Sequence, residues 1–230
     1  MIHSSAYVNA KPFVGQSVLV IGMGNTGAEI ALDLCNGGAR TTISLRNGVH
    51  VAPRDLFGIP IQIVAMFATQ ILPMKANDAL FPLILDMALN HPARYGIKRP
   101  KKGILLRIAE SGKIPVLDVG TIRKVSEGAI EIMPGTSSAF EDGVVFNDES
   151  RGKFETIVFA TGFRPNYPSF FENETIELPS HGRPDGDKAT SKIHFVGFKS
   201  LVSGLLREIS KDAVRIADNV ARCHNELVCR

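Results

Sequence analysis

An α/β fold built on a parallel sheet is predicted by three features of this 230-residue sequence. A short β-branched run ends in a glycine-rich loop, an amphipathic helix starts inside that loop, and a second β-type run follows at the spacing of a βαβ unit, about 30 residues. The first run, Ser17-Val18-Leu19-Val20-Ile21, is apolar from Val18 onward, as in a strand covered on both faces. The loop is Gly22-Met23-Gly24-Asn25-Thr26-Gly27. Ala28, Ile30, Ala31 and Leu34 then recur at helical spacing, and Gly37-Gly38 supplies the stop. Arg40 to Arg46 reads as the second parallel strand.

The loop has a chemical consequence. A diphosphate approaches a helix N-terminus only where no Cβ stands in the way, because free N–H groups and the positive end of the helix dipole do the binding. In Rossmann-like units the first glycine makes the tight turn, the second admits the pyrophosphate, and the third lets helix pack on strand. Gly22, Gly24 and Gly27 fit those roles, with Asn25 and Thr26 beside them. Sites for NAD or FAD place a carboxylate about 20 residues on, to accept from a ribose hydroxyl. Here the residue nineteen positions beyond Gly27 is Arg46, and no carboxylate occurs between Asp33 and Asp55. A guanidinium suits a 2′-phosphate, so NADP(H) is the expected ligand, with His50 and Arg54 as further sources of positive charge.

Phe57 to Asn90 reads as buried helix in two or three pieces broken at prolines, and Gly103 to Ser111 as one more short helix. Residues 115–117, 129–133, 143–146 and 156–160 are short β-type runs bounded by Gly, Pro and acidic turns. Pro168 to Lys192 is a polar surface excursion and Ile193 to Val196 a strand. Ile209, Ala213, Ile216, Ala217 and Val220 stripe one face of a terminal helix.

Composition narrows the function classes. Hydrophobic residues make up 44% and charged residues 21%, which excludes fibrous and disordered chains. A net charge of +3 with dispersed lysines and arginines gives no ground for nucleic-acid binding. The basic turn Arg94, Lys98, Arg99, Lys101 and Lys102 reads as solvated. Three cysteines without C-x-x-C spacing, and no signal-like N-terminus, favour a reduced, cytoplasmic setting. Prolines and charges interrupt Leu56 to Leu89 before the roughly 20 apolar residues of a membrane span, so no membrane contact is expected. The histidines have no ligand spacing, and no metal is expected.

Two further stretches carry a family resemblance. His3-Ser4-Ser5-Ala6-Tyr7, followed by Gly22 to Leu34, resembles the flavin-containing monooxygenases, in which a His-Ser-x-x-Tyr element shortly precedes a G-x-G-N-S/T-G loop for NADPH. Phe159-Ala160-Thr161-Gly162-Phe163-Arg164-Pro165 is similar to the segment where that family's chain returns from the NADPH domain to the FAD domain. Three blocks, residues 49–54, 95–100 and 112–120, resemble the YUCCA branch, the indole-3-pyruvate monooxygenases.

The resemblance implies a two-dinucleotide-binding-domain flavoprotein. Residues 1–11 would be a linker from an FAD domain, 12–158 an NADP(H)-binding domain, and 159–230 the C-terminal part of the FAD domain. The cofactors implied are NADPH and FAD, and the reaction is hydroperoxyflavin oxygenation of a small substrate by O₂. For the YUCCA branch that substrate is a 2-oxo acid, indole-3-pyruvate, decarboxylated to indole-3-acetate. Thr161 and Gly162 would form the interdomain crossing near both cofactors. The chain departs from the family in having one glycine loop rather than two, so its FAD site is incomplete, no catalytic residue is carried over, and a complementing FAD-domain fragment is an expected partner. The alternative is a truncated, non-catalytic NADP(H)-binding module without flavin.

Overall fold

The structure, a computed structural model, describes residues 1–163, 194–198, 201 and 203–228, with side chains through Arg222. Strand β1 (Ile2–His3) is followed by β2 (Ser17–Ile21), helix α1 (Asn25–Asn36) and β3 (Arg40–Leu45). Next come β4 (Val51–Pro53), a small hairpin of β5 (Asp55–Leu56) and β6 (Ile59–Pro60), then α2 (Ile61–Ile71), α3 (Met74–Ala88) and α4 (Ile104–Ser111). The chain continues through β7 (Val116–Asp118), α5 (Thr121–Ser126), β8 (Ile130–Pro134), β9 (Thr136–Phe140), β10 (Gly143–Phe146), β11 (Arg151–Lys153) and β12 (Thr156–Phe159), and ends in α6 (Leu205–Val228).

The main sheet is parallel throughout, in the order β1-β12-β2-β3-β8. Its centre is the predicted apolar run. Val18 and Val20 point to one face and pack with Ala31 and Leu34 of α1. Leu19 points to the other, against Val144 and Phe146 of the antiparallel sheet β11-β10-β9. Full burial of each of these aliphatic side chains stabilises the fold by about 1.5–3 kcal/mol. The N-terminal segment is tied to α1 where the Tyr7 hydroxyl donates to Asp33 at 2.5 Å. Burial, with that carboxylate alongside, pushes the Tyr7 phenol well above its ordinary pKa.

A second layer hangs on the first. β4 and β7 form a two-stranded parallel sheet, and Ala52, Ile61, Leu85, Ile104 and Ile108 join α2, α3 and α4 around a separate small core. Asp78 on α3 organises this layer, because its carboxylate accepts the Leu105 and Leu106 N–H groups at 2.8 and 3.2 Å and so caps α4.

Several expectations are corrected. Pro60 and Pro73 bound helices, but Pro82 lies inside α3. Its ring is buried and its carbonyl accepts from Arg99 at 3.1 Å, so local packing offsets the missing N–H. The helices α2 and α3 are not buried: they pack on one side only, leaving Phe67, Ile71, Leu83 and Met87 exposed. Among the described residues no helix is long and apolar enough to cross a membrane. Arg99 and Lys102 of the basic turn are paired, with Asp86 and Glu110 respectively, rather than simply solvated.

Residues 194–196 lie in no strand, having no neighbouring strand to pair with among the described residues. The rest of the expected strand, Ile193, and the excursion from Pro168 to Lys192 fall outside the described residues. Helix α6 forms, yet its apolar stripe is not what it buries. Ile209 and Ile216 are half-buried, Ala213, Ala217 and Val220 are exposed, and among the described side chains of the helix the buried ones are Glu208 and Asp212. Glu208 accepts from the Ser203 hydroxyl at 2.6 Å and Lys211 at 3.0 Å, which together hold its carboxyl below the usual range. Asp212 accepts from the Gly197 N–H at 3.4 Å.

Candidate functional site

Strand order fixes where a ligand can lie. From β2 the chain crosses through α1 to β3 on one side, while β12 returns to pair with β2 on the other. The direction of crossing therefore reverses at β2, and in open parallel sheets such a switch point opens a crevice at the carboxyl ends of the strands. Residue pairing runs Phe159 to Ile21 to Ser44, so the glycine loop after β2, Arg46 after β3 and Thr161-Gly162 after β12 all leave the same edge.

The three glycines of the loop are needed for different reasons. Gly22 has φ of +101°, and a Cβ there would come within 2.6 Å of the Ala160 carbonyl oxygen. A Cβ on Gly27 would overlap the Gly22 carbonyl, so its hydrogen lets α1 start against the strand. Gly24 is unlike both. It takes extended backbone, φ −81° and ψ −176°, and nothing lies within 4 Å of where its Cβ would be. Neither conformation nor packing against protein requires glycine at this exposed position. What a Cβ would occupy is the open space in front of α1.

The N-terminus of α1 has no side-chain cap. Gly24 is its N-cap residue, and its carbonyl accepts the Ala28 N–H at 2.9 Å. The first N–H groups of a helix have no partner within it, so those of Asn25, Thr26 and Gly27 form an anion-binding end. Thr26 is exposed beside them. Asn25 is half-buried and already partly committed, its Oδ1 accepting the Leu117 N–H of β7 at 2.8 Å.

Arg46 stands exposed just past β3 and makes no hydrogen bond or ion pair among the described residues. Its backbone position depends on Gly135, where a Cβ would come within 2.7 Å of the Arg46 Cα. That glycine was not singled out from the sequence, although Pro134-Gly135 is a recognisable turn signal. Thr161 and Gly162 are exposed beyond β12, and Gly162 has φ of +98° with nothing within 4 Å of its missing Cβ.

Arg54 and His50 behave differently. Arg54 follows β4, on the smaller sheet, and lies 3.8 Å from Asp55. His50 is only 7% exposed, and its Nε2 donates to the Lys102 carbonyl at 2.8 Å. Burial, the largest influence, lowers the pKa of its imidazole, so the expected positive charge is not found there. No group of three or more His, Cys, Asp or Glu side chains able to hold a metal occurs among the described residues.

Comparison with known proteins follows from this geometry. The flavin-binding monooxygenase-like family matches residues 1–181. The chain is 37% identical over 228 residues to indole-3-pyruvate monooxygenase YUCCA8 of Oryza sativa subsp. indica, covering 96% of this chain and 53% of that protein. It is 34% identical over 237 residues to the probable indole-3-pyruvate monooxygenase YUCCA4 of Arabidopsis thaliana, covering 100% and 57%. The chain thus spans about half the length of the curated relatives it matches. A flavin-containing monooxygenase from Stenotrophomonas maltophilia shares the fold, with TM-score 0.56 at 14% identity over 96% of this chain and 55% of that one. A mutant of the flavin monooxygenase from the same organism superimposes with TM-score 0.58 at 16% identity, covering 96% and 55%. The α/β architecture is therefore that of the two-dinucleotide-binding-domain flavoproteins, and the chain belongs to the flavin-binding monooxygenase-like family.

Proposed function

We propose that this chain is the NADP(H)-binding part of a flavin monooxygenase, and that the nucleotide lies across the carboxyl edge of the main sheet. Residues 12–158 form the NADP(H)-binding domain, while 1–11 and 159–230 belong with an FAD domain. The observation that carries the reading is Gly24, exposed and unhindered in front of a helix N-terminus that no side chain caps. Ligand space, rather than the fold, accounts for a glycine there.

The residues present fit the nucleotide. Gly24 lets a diphosphate reach the N–H groups of Asn25 and Thr26, while Gly22 and Gly27 hold the loop against β12 and β2. The Arg46 guanidinium binds the 2′-phosphate as a charge-assisted, forked donor. When bound, NADPH supplies a hydride and FAD supplies the oxygen-activating centre. Thr161 and Gly162 face the place where the two cofactors meet, and the open space at Gly162 admits the flavin side of that junction. These 230 residues contain one glycine loop of this kind, so a complementing FAD domain provides the remaining flavin contacts.

The substrate is a small organic molecule, oxygenated with O₂. Identities of 34–37% to indole-3-pyruvate monooxygenases over almost the whole chain favour that 2-oxo acid, decarboxylated to the acetic acid. Arg54, exposed past β4 beside Asp55, is the secondary cation of this reading. Calorimetric titration of the 230-residue chain with NADPH and NADH tests the proposal: NADPH is expected to bind at least about tenfold more tightly, since the extra phosphate gains a charge-assisted pair. Equal affinities, or no binding of either, refute it.

A further inference from the structure

The hairpin of β5 and β6 carries a residue that the fold does not ask for. Asp55 pairs with Pro60 and Leu56 with Ile59, so Phe57 and Gly58 make a two-residue turn, with φ of +53° and +80°. A turn this tight takes positive φ at both positions, and asparagine, aspartate or glycine is the usual choice because a bulky side chain is strained there. Phe57 is also 95% exposed, so packing within the chain does not offset the strain. An exposed aromatic ring held in a strained turn points to a partner outside the chain.

The apolar surface continues from that tip. Ile63, Phe67 and Ile71 recur every four residues along α2 and are exposed, and Leu80, Leu83 and Met87 form an exposed stripe on α3. α2 turns Ala65 and Thr69 toward α3 and α4, and α3 turns Phe81 and Leu85 inward; helical periodicity sets both stripes on the opposite sides. Helix α6 does not cover them, since its Arg207 meets α2 at the Met66 sulfur, on a different face. From Leu56 to Met74 no residue is charged.

Charge indicates what covers this face. From Arg54 to Lys113 there are nine lysines and arginines against four aspartates and glutamates, a net +5, while the rest of the chain carries −2. All four carboxylates are engaged within this layer: Asp55 with Arg54, Asp78 with the N–H groups that open α4, Asp86 with Arg99 and Glu110 with Lys102. Lys75, Arg94, Lys98, Lys101 and Lys113 are exposed and have no ion pair among the described residues. A second copy docked face to face would bring these like charges together, whereas an anionic surface neutralises them. We infer that the β5–β6 tip and the outer faces of α2 and α3 dock on an anionic lipid bilayer, Phe57 entering the acyl boundary and the free lysines and arginines meeting the headgroups. Such a contact lies in the interface and needs no spanning helix.

Flotation of the 230-residue chain with vesicles of phosphatidylcholine, alone or mixed with phosphatidylglycerol, tests the inference. Binding to the anionic vesicles is expected to be at least about tenfold tighter than to the neutral ones and to weaken as salt is raised. Phe57→Asn installs a residue that the turn prefers, so the Tm should hold or rise while affinity for the anionic vesicles falls about tenfold. Ile71→Ser, on exposed α2 surface, should weaken binding without lowering the Tm. No vesicle binding, equal binding to neutral and anionic vesicles, or Phe57→Asn and Ile71→Ser proteins that bind like the parent each overturns the inference. Sedimentation velocity supplies the remaining outcome: self-association of the parent chain that Phe57→Asn abolishes would assign the face to a second copy and overturn it as well.

Discussion

The Oδ1 of Asn25, at the first turn of α1, accepts the backbone N–H of Leu117 in β7 at 2.8 Å. One side chain thus braces the glycine loop against the smaller sheet, across 92 residues of sequence. Two substitutions separate its structural and ligand-facing consequences. Asn25→Ala leaves a half-buried N–H without an acceptor and is expected to cost about 1–3 kcal/mol in urea denaturation. Asn25→Asp keeps the acceptor and suits the helix N-terminus, so stability holds. It also sets a negative charge where a diphosphate is proposed, and NADPH affinity should fall at least about tenfold.

Gly24 permits a test in which stability and binding move in opposite directions. Serine is a slightly better N-cap than glycine, so Gly24→Ser should raise stability by about 0.3 kcal/mol. Its Cβ and hydroxyl would fill the open space before α1 and occupy the N–H groups proposed to hold the nucleotide. Thermal unfolding should show an unchanged or higher Tm, and calorimetry a loss of NADPH binding. Gly27→Ala is the contrasting case: its Cβ overlaps the Gly22 carbonyl, and a cost of about 1–3 kcal/mol from overpacking is expected.

Arg46 is exposed and without an ion-pair partner among the described residues, so its removal should leave the fold alone. Arg46→Ala is expected to change stability by less than about 0.5 kcal/mol. Loss of a charge-assisted pair weakens NADPH by about 10- to 100-fold and leaves NADH nearly untouched, because NADH has no 2′-phosphate. Fluorescence titration of both nucleotides against both proteins gives the four constants required. A parallel loss for NADH would mean that the guanidinium does not read the 2′-phosphate.

The elements that sequence made legible are those whose pattern is local. Val18 to Ile21 alternates between two cores, so each of these positions is apolar, and the helix behind it carries its own stripe and stop. The glycine loop was legible because its spacing is local, Gly27 answering to Gly22 and α1 starting at once, although Gly22 itself answers to distant Ala160. What was not legible depends on distant partners. β4 is three residues long, contains a proline, and exists because β7 pairs with it. Helix α5 is only six residues long and hangs on Thr121, whose hydroxyl donates to the Ala28 carbonyl at 3.0 Å. Pro82 looks like a break until its buried ring and the Arg99 contact are seen. Asp78 and Asn77 resemble surface polar residues of an amphipathic helix, and only packing of α2 and α4 around them turns one into a cap and the other into a buried wall. In α6 periodicity misled, since an apolar stripe says nothing about which face finds a neighbour.

His50 gives the fold a pH dependence whose sign can be worked out. Burial disfavours the imidazolium, so its pKa in the folded chain lies below that in the unfolded chain, about 6.5. Between the two values the unfolded state binds more protons, and stability rises with pH. The contribution is fully present above the unfolded value and is lost as pH falls through the folded one. The hydrogen bond to Lys102 opposes the shift because a charged imidazolium donates more strongly than a neutral ring, but it is the smaller influence. His50→Gln retains a donor and does not titrate. Urea denaturation from pH 7 down to pH 5 should therefore show a flatter decline for the variant, the difference in slope reaching at most about 1.4 kcal/mol per pH unit for one proton. A variant with the same slope as the parent chain would place the acid sensitivity on other groups.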